Sequence, residues 1–154
     1  MRKIFKILIV LVCVIAGLFF WFDQSRSFFK ATNGKYITMW KRYGGTCYLI
    51  HGKYYGITKP NDNYIETKNT ASVDFIWNDK NSKYVLFLGG ENCKIVNNDP
   101  TKVKIINYLE EKQKNDSLYI KKQGHYNIYK KGVIRLGINI LEGYASDGMG
   151  ETQR

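Results

Sequence analysis

An uncharged apolar stretch near the start of the chain constrains its fold more than any other feature. Residues 1–6 form a basic head, and residues 7–22 contain no charged side chain. Extended back to Ile4, past a Lys6 whose amine can reach the headgroups, the apolar segment is about 28 Å long as a helix. This length nearly matches a hydrocarbon core of about 30 Å. The sequence therefore predicts a transmembrane helix over residues 7–22, through which the protein contacts the membrane.

A cleaved signal peptide is the main alternative, because it also begins with a basic head and an apolar stretch. Cleavage requires small residues and then a polar segment, whereas Ala16-Gly17 is followed by Leu18 and four aromatic residues. We therefore expect an uncleaved signal-anchor. The positive charges of residues 1–6 favour a cytoplasmic N-terminus. The expected location is the cell membrane, with a single span and residues 23–154 outside the cytoplasm.

The charge of the exported part restricts the class of partner. From residue 30 onward the sequence has 20 basic and 12 acidic residues, a net charge of +8. Nucleic acid is the usual partner of such a charge, but an exported domain rarely meets it, so no nucleic-acid partner is expected. An anionic surface, such as phospholipid or an envelope polymer, is the other candidate. The lysines are dispersed and accompany many Asn, Ile and Tyr residues, so the bias of an AT-rich genome explains the charge equally well.

Two of the three cysteines lie in the exported part. Cys13 falls inside the anchor, which leaves Cys47 and Cys93 as a pair. Thiols outside the cytoplasm are readily oxidised, so the sequence predicts a disulfide between them. This disulfide would close a loop of roughly 45 residues, and in the chain-entropy model it would stabilise the fold by about 4 kcal/mol. Two buried free thiols are the alternative, because cysteine is among the most often buried residues.

Residues after the anchor predict a short tether and then a strand-rich domain. Residues 23–35 have no apolar period and are assigned to the tether. Alternating β-favouring side chains on both sides of Gly44-Gly45 predict a hairpin. Further short apolar runs, separated by turn residues, continue to residue 141. Residues 84–88 are continuously apolar, as expected of a central strand buried on both faces. Residues 133–141 show a period-two stripe, with Ile134, Leu136, Ile138 and Ile140 on one face. Residues 36–141 are therefore expected to form the exported β-rich domain, and the glycine-containing residues 142–154 a flexible tail.

One segment within this domain breaks the strand pattern. A helix over about 100–114 is predicted by helix-start residues and by apolar residues at helical spacing, namely Asp99, Pro100, Val103, Ile106 and Leu109. Residues 102–105 also alternate, so a strand is the alternative. The expected fold class is α+β and β-rich: an N-terminal transmembrane helix, then a mainly antiparallel sheet domain with at most one further helix.

Aromatic residues are concentrated in the first predicted meander. Aromatic rings give a large contact area with little loss of conformational entropy, so they suit a binding face. They are also favoured in strands for packing alone, which is the alternative. The predicted binding residues are Trp40, Tyr48, Tyr54, Tyr55 and Tyr64.

The sequence contains no strong catalytic or metal-binding motif. Neither His51 nor His125 lies in a cluster with metal-ligand spacing, so no metal and no cofactor are expected. A thiol nucleophile on Cys47 with His125 as its base is the sharpest enzymatic hypothesis. It is weak, because exported cysteines tend to be oxidised and no nucleophile-elbow sequence surrounds Cys47. No catalytic residue is therefore assigned.

The expected function follows from location more than from any motif. We expect a membrane-anchored domain of the cell envelope that binds a protein partner without catalysis, as an accessory, inhibitory or immunity-type factor would. A binder of an envelope polymer or of anionic lipid is the alternative. An anchored hydrolase built on Cys47 and His125 is a more remote one.

Overall fold

A computed structural model of the chain describes residues 2–68, 72–78, 83–90, 92–96, 99, 101–107, 119–120, 125–126, 132–147 and 152–154. In this part of the chain an N-terminal helix is followed by short strands, which confirms the predicted β-rich fold class. The helix is α1 (Arg2–Gln24). The strands are β1 (Arg26–Lys30), β2 (Tyr36–Lys41), β3 (Thr46–His51), β4 (Tyr64–Lys68), β5 (Ser72–Trp77), β6 (Tyr84–Leu88), β7 (Lys94–Val96), β8 (Lys104–Asn107), β9 (Tyr119–Ile120), β10 (His125–Tyr126), β11 (Ile134–Asn139), β12 (Tyr144–Asp147) and β13 (Thr152–Gln153).

Helix α1 is long and apolar enough to cross a membrane. Its window Ile4–Trp21 has a mean hydropathy of 2.8, and no residue of this window is buried against the rest of the protein. A soluble core helix would bury one face. The exposure of the whole window is the property expected of a helix whose surroundings are lipid.

The strands form two main sheets and one short pair. The first sheet has the order β1-β2-β3-β4-β7, and all of its neighbouring strands are antiparallel. The second sheet has the order β13-β12-β11-β5-β6-β8, in which only the β6–β8 pair is parallel. Strands β9 and β10 pair with each other. The predicted mainly antiparallel arrangement is therefore confirmed.

The hydrophobic core lies between the two main sheets. The period-two stripe of β11 places Leu136 and Ile138 in this core, opposite Phe75 and Val73 of β5. Both faces of β6 are buried at its centre, as the continuous apolar run of that strand predicts. Inward residues of the first sheet meet them in the same cluster, including Phe29, Ile37, Met39, Leu49 and Ile65.

The predicted tether over residues 23–35 is wrong, because β1 lies within it. β1 pairs with β2 along its whole length, from Arg26 opposite Trp40 to Lys30 opposite Tyr36. Its inward residue Phe29 is fully buried. Burial of a phenylalanine contributes roughly 1.5–3 kcal/mol, so this short segment is a strand despite its weak apolar period.

Ser25 alone lies between α1 and β1, so a single residue connects the helix to the first sheet. The Asp23 carboxylate accepts hydrogen bonds from Arg42, through Nε at 2.9 Å and a second guanidinium nitrogen at 2.8 Å. It also accepts one from the Tyr43 backbone amide at 2.9 Å. The Trp40 indole Nε1 donates to the Asp23 carbonyl at 2.6 Å. We call these four contacts the Asp23 joint, because they fix the end of α1 to β2 and its turn.

The predicted helix over about 100–114 is wrong where the structure describes it. Lys104–Asn107 forms β8, which runs parallel to β6 with Ile105 opposite Val85. The Ile105 side chain enters the main core. Pairing with a buried strand outweighs the local helical spacing, so the strand alternative is confirmed here. Residues 100 and 108–114 lie outside the described residues.

The predicted flexible tail over residues 142–154 is also wrong for the part that is described. Strand β12 pairs with β11 and buries Ala145. Strand β13 then pairs with β12. The Gln153 side chain, in β13, forms two hydrogen bonds with the backbone of Lys30 at the edge of the first sheet. Its amide oxygen accepts from the Lys30 amide at 2.7 Å, and its amide nitrogen donates to the Lys30 carbonyl at 2.6 Å. The C-terminal residues therefore connect the two sheets at this edge.

Candidate functional site

Four of the five predicted binding residues meet on the outer face of the first sheet. Trp40 and Tyr48 lie opposite each other in β2 and β3, with ring centroids 5.6 Å apart. Tyr54 lies 6.2 Å from Trp40, and Tyr64 lies 5.7 Å from Tyr48. These four residues form the aromatic cluster. The fifth residue, Tyr55, lies apart and is 69% exposed.

A loop covers the aromatic cluster, so its rings are not an open surface. Residues 52–63, the covering loop, fold back over the sheet from the end of β3. The Thr38 hydroxyl donates to the Gly52 carbonyl at 2.6 Å and accepts from the Tyr54 amide at 3.0 Å. As a result Trp40 is 0% and Tyr64 4% exposed. The aromatic cluster therefore forms part of a second, small hydrophobic core. This agrees with the alternative that the aromatic residues are present for packing.

Basic side chains lie against the rings of this cluster. The Arg26 guanidinium lies 4.1 Å and the Arg42 guanidinium 4.8 Å from the Trp40 ring centroid. The Lys59 amine lies 5.2 Å from the Tyr64 ring. Cation–π contacts of this kind contribute about 0.5–2 kcal/mol each. The Lys59 contact joins the covering loop to Tyr64 of β4, whereas Arg26 and Arg42 lie against the Trp40 ring of β2.

A cleft of about 620 Å³ adjoins the aromatic cluster at the end of β3. The covering loop forms one wall, and residues 101–103, just before β8, form the other. Tyr54 belongs to both the aromatic cluster and the cleft, and Ile50, which packs with Trp40 and Tyr64, also lines the cleft. The remaining lining residues are His51, Thr58, Lys59, Pro60, Asn61, Asp62, Asn63, Thr101, Lys102 and Val103.

Two residues that line the cleft each carry a buried side-chain atom without a hydrogen-bond partner in the described part of the chain. They are His51, through Nε2, and Asn63, through its side-chain oxygen. Both atoms are screened from the open cleft, and the His51 ring lies 6.5 Å from the ring of Trp77 in the main core. Asn63 is only 5% exposed, and its backbone has a φ of 51°. Asparagine tolerates this left-handed conformation better than most residues. Burial, assisted by the charge of Lys35, lowers the pKa of His51 to about 4, so its imidazole is neutral at pH 7.

The charges around the cleft are already paired. Lys59 contacts Glu66 at 2.9 Å, and Lys102 contacts Asp62 at 2.9 Å and Asp99 at 3.3 Å. Hydrogen bonds from Lys102 to Asp62 and Asp99 raise the pKa of its amine. Because these cations have acidic partners, the cleft is close to neutral and does not attract anions strongly.

The predicted disulfide between Cys47 and Cys93 is wrong, because both are free thiols and β4 lies between them. Cys47 is opposite Thr67 of β4. Continuing the β4–β7 register beyond Glu66–Lys94 places Cys93 on the other side of Thr67, whose hydroxyl lies 3.3 Å from the Cys93 sulfur. Two strand spacings separate the cysteine backbones by about 10 Å, and bridging requires less than about 7 Å. The alternative of two free thiols is therefore confirmed, but only Cys47 is buried, because Cys93 is half-buried.

The geometry also argues against Cys47 as a nucleophile. Its side chain is fully buried in the main core, and burial raises the pKa of its thiol to about 12. A thiol is reactive as a thiolate, and this one stays protonated. The proposed base His125 lies in β10, and its side chain is outside what the structure describes. Among the described residues no three His, Cys, Asp or Glu side chains come together as a metal site.

Thiol labelling tests this assignment directly. We expect a small alkylating reagent to leave Cys47 unmodified in the native full-length chain, because the sulfur is buried and protonated. After denaturation without any reductant, Cys47 and Cys93 should both be modified, which peptide mass mapping can measure. Modification of Cys47 and Cys93 only after reduction would contradict the free-thiol assignment.

Sequence reasoning missed most of the cleft. Residues 59–63 have a clear local signal as a turn, because Pro60 and its neighbours are strong turn formers. Nothing local brings them to Thr101 and Lys102, which lie about 40 positions later in the chain. That juxtaposition depends on β8 pairing with β6 and on β4 lying in the other sheet. It could not be found from a single sequence.

Comparison of the chain with protein-family models, with curated proteins and with solved structures found no match. The proposed function therefore rests on the geometry of the cleft and of helix α1.

Proposed function

We propose that this protein is a membrane-anchored, non-enzymatic binding domain that holds a segment of a partner protein in the cleft. Helix α1 serves as the anchor, with the strand domain on the non-cytoplasmic side, as the basic head predicts. The protein then acts as an accessory or inhibitory factor of the cell envelope. The cleft beside the aromatic cluster is the proposed binding site.

The observation that carries this proposal is the cleft itself, which has a volume of about 620 Å³ and is lined by both apolar and polar residues. Ile50 and Tyr54 supply apolar surface, and lining residues such as Thr58 and Asn61 supply polar groups. A peptide backbone offers both a donor and an acceptor at every residue. An extended segment of a partner could therefore hydrogen-bond to the polar lining, while its side chains pack on Ile50 and Tyr54.

The paired lysines favour a peptide over an anionic polymer. A polyanion gains affinity from lysines whose charges are not already neutralised. Lys59 and Lys102 each contact a carboxylate at 2.9 Å, so an anion would have to displace that partner. A peptide can bind without displacing either carboxylate. The net charge of the exported part therefore does not by itself identify a ligand for this cleft.

Site-specific photocrosslinking in native membranes tests the proposal. A photoreactive amino acid at the position of Thr101, on the lip of the cleft, should give a discrete adduct with one protein. The same residue at Ser72, an exposed position at the start of β5, serves as the matched control and should not. Mass spectrometry of the adduct would identify the partner.

A variant that fills the cleft tests whether the Thr101 adduct depends on binding there. Thr58→Trp places a large ring in the cleft while retaining the backbone carbonyl that accepts from the Tyr54 hydroxyl, and it should abolish the Thr101 adduct. Thr152→Trp, at an exposed threonine of β13, should leave the adduct unchanged. Equal adducts from Thr101 and Ser72 would contradict the proposal. Crosslinking to a polymer or lipid, lost at high salt, would favour the polyanion alternative.

A further inference from the structure

The geometry points to a second interaction surface: we infer that the end of the domain next to α1 docks on the headgroup layer of the bilayer. The inference rests on the proposed anchoring by α1. The surface consists of three exposed apolar side chains, Tyr43, Ile57 and Leu141, together with Lys41. We call these four residues the proximal rim.

Tyr43 provides the most direct argument, because its ring reaches back along α1. The ring lies 6.0 Å from that of Phe19 in an edge-on arrangement. Phe19 falls inside the apolar window Ile4–Trp21, four residues before Asp23. Four helical residues rise about 6 Å. With α1 in a bilayer, Tyr43 must therefore lie at the level of the final turn of the apolar segment.

The Asp23 joint makes this position a property of the fold. Its four hydrogen bonds hold the turn after β2 against the end of α1, and the Asp23 carboxylate is largely screened from solvent by them. The Tyr43 side chain is nevertheless 84% exposed. Tyrosine favours the membrane interface, where its ring is in an apolar layer and its hydroxyl in a polar one.

Contacts near the joint place the other two apolar side chains at the same end of the domain. The Arg26 guanidinium donates to carbonyls of Gln24 and Gly56, which brings the tip of the covering loop, with Ile57, beside the end of α1. The Lys41 amine donates to the Leu141 carbonyl at 3.1 Å, which places the β11–β12 turn next to β2. Ile57 and Leu141 are both 69% exposed.

Lipid headgroups are the occupant that these features fit. The rim is continuous with a helix whose apolar window requires lipid, and three separate turns present one large apolar side chain each. Scattered side chains at loop tips suit insertion between headgroups better than they suit a flat protein partner. The net positive charge of the exported part adds attraction to anionic lipid. Docking would leave open the part of the cleft at the end of β3, about 17 Å along that strand from the rim, whereas Thr58 in the other part of the cleft is next to Ile57 of the rim.

Depth-dependent fluorescence quenching tests the inference on the full chain. A fluorescent amino acid is placed in turn at positions 43, 57 and 141, and the protein is reconstituted in vesicles of phosphatidylethanolamine and phosphatidylglycerol. Spin-labelled lipids, with the label at the headgroup or high on the acyl chain, are the quenchers. We expect a blue shift and strong quenching at all three positions. Position 101, at the cleft, should show neither.

Position 19 separates failure of the anchor from failure of the docking. Quenching at position 19 without quenching at positions 43, 57 and 141 would overturn the docking while leaving the anchoring intact. Absence of quenching at position 19 as well would overturn both. Replacing Asp23 by alanine removes the three carboxylate contacts of the joint, and it should reduce quenching at position 43 but not at position 19. Asp62→Ala, which removes a carboxylate at the cleft, is the matched control and should change neither.

Discussion

Replacing Trp40 by alanine is expected to lower the free energy of unfolding by about 3–5 kcal/mol, the usual cost of removing a buried tryptophan. Trp40 is the centre of the aromatic cluster, where its ring contacts Tyr48, Tyr54 and the Arg26 guanidinium. Its indole also donates to the Asp23 carbonyl, so the substitution removes one bond of the Asp23 joint. Urea unfolding of the full chain in detergent, followed by circular dichroism, measures the change.

Tyr55→Ala is the matched control for this experiment. Tyr55 was predicted from the sequence with the same role as Trp40, but its ring lies 5.1 Å from that of Phe28 and stays largely exposed. Surface substitutions usually change stability by less than about 0.5 kcal/mol. Similar losses for the two variants would show that the covering loop does not bury Trp40 as described.

Acidification should destabilise the protein through His51. Burial and the nearby charge of Lys35 lower the pKa of this imidazole to about 4 in the folded state, whereas the unfolded value is about 6.5. Between these values the unfolded chain binds a proton at His51 and the folded chain does not. Stability is therefore fully present above about pH 6.5 and falls as the pH decreases toward 4. The loss from this one group approaches about 3 kcal/mol.

Comparison with a variant isolates this contribution from that of the carboxylates. The free energy of unfolding is measured by urea titration at neutral pH and near pH 4.5, for the native chain and for His51→Gln. The variant keeps a polar side chain at the cleft but cannot titrate, so its pH dependence should be clearly smaller. An equal loss of stability in both proteins would show that His51 is not the group responsible.

Local periodicity predicted the parts of this fold in which neighbouring residues determine the outcome. The stripe of β11 and the continuous run of β6 were correct, because alternation or full burial is visible within one strand. The turn at Gly44-Gly45 was also correct: both glycines have positive φ values, which glycine adopts at little cost. These signals were sufficient for the fold class.

Long-range pairing decided the elements that were predicted wrongly. Ile106 has helical spacing to Val103 and Leu109, yet it is a strand residue opposite Leu86, because β6 offers this segment a buried edge. Phe29 lies in a polar segment, and only the facing sheet explains its burial. Cys47 and Cys93 are close in the fold, but the position of β4 between them could not be deduced from their spacing in the sequence.

The candidate site was predictable only in part for the same reason. The hairpin around Gly44-Gly45 was predicted, but its register, which brings Trp40 opposite Tyr48, was not. The covering loop was not predictable, because its residues show the composition of an ordinary turn. Only the three-dimensional arrangement shows that the loop buries the rings and opens the cleft at its edge.

The single residue between α1 and β1 sets how far this protein can reach. A flexible tether would allow the domain to search a volume whose radius grows with the square root of linker length. Here one serine and the Asp23 joint leave almost no such freedom, so with α1 in a bilayer the cleft stays within one domain height of it. Under the proposed function, encounter would then depend on lateral diffusion, and partners anchored in the same membrane would meet the cleft at a raised effective concentration. Soluble partners would gain no such advantage, so the short connection would favour ligands that are confined to the membrane surface.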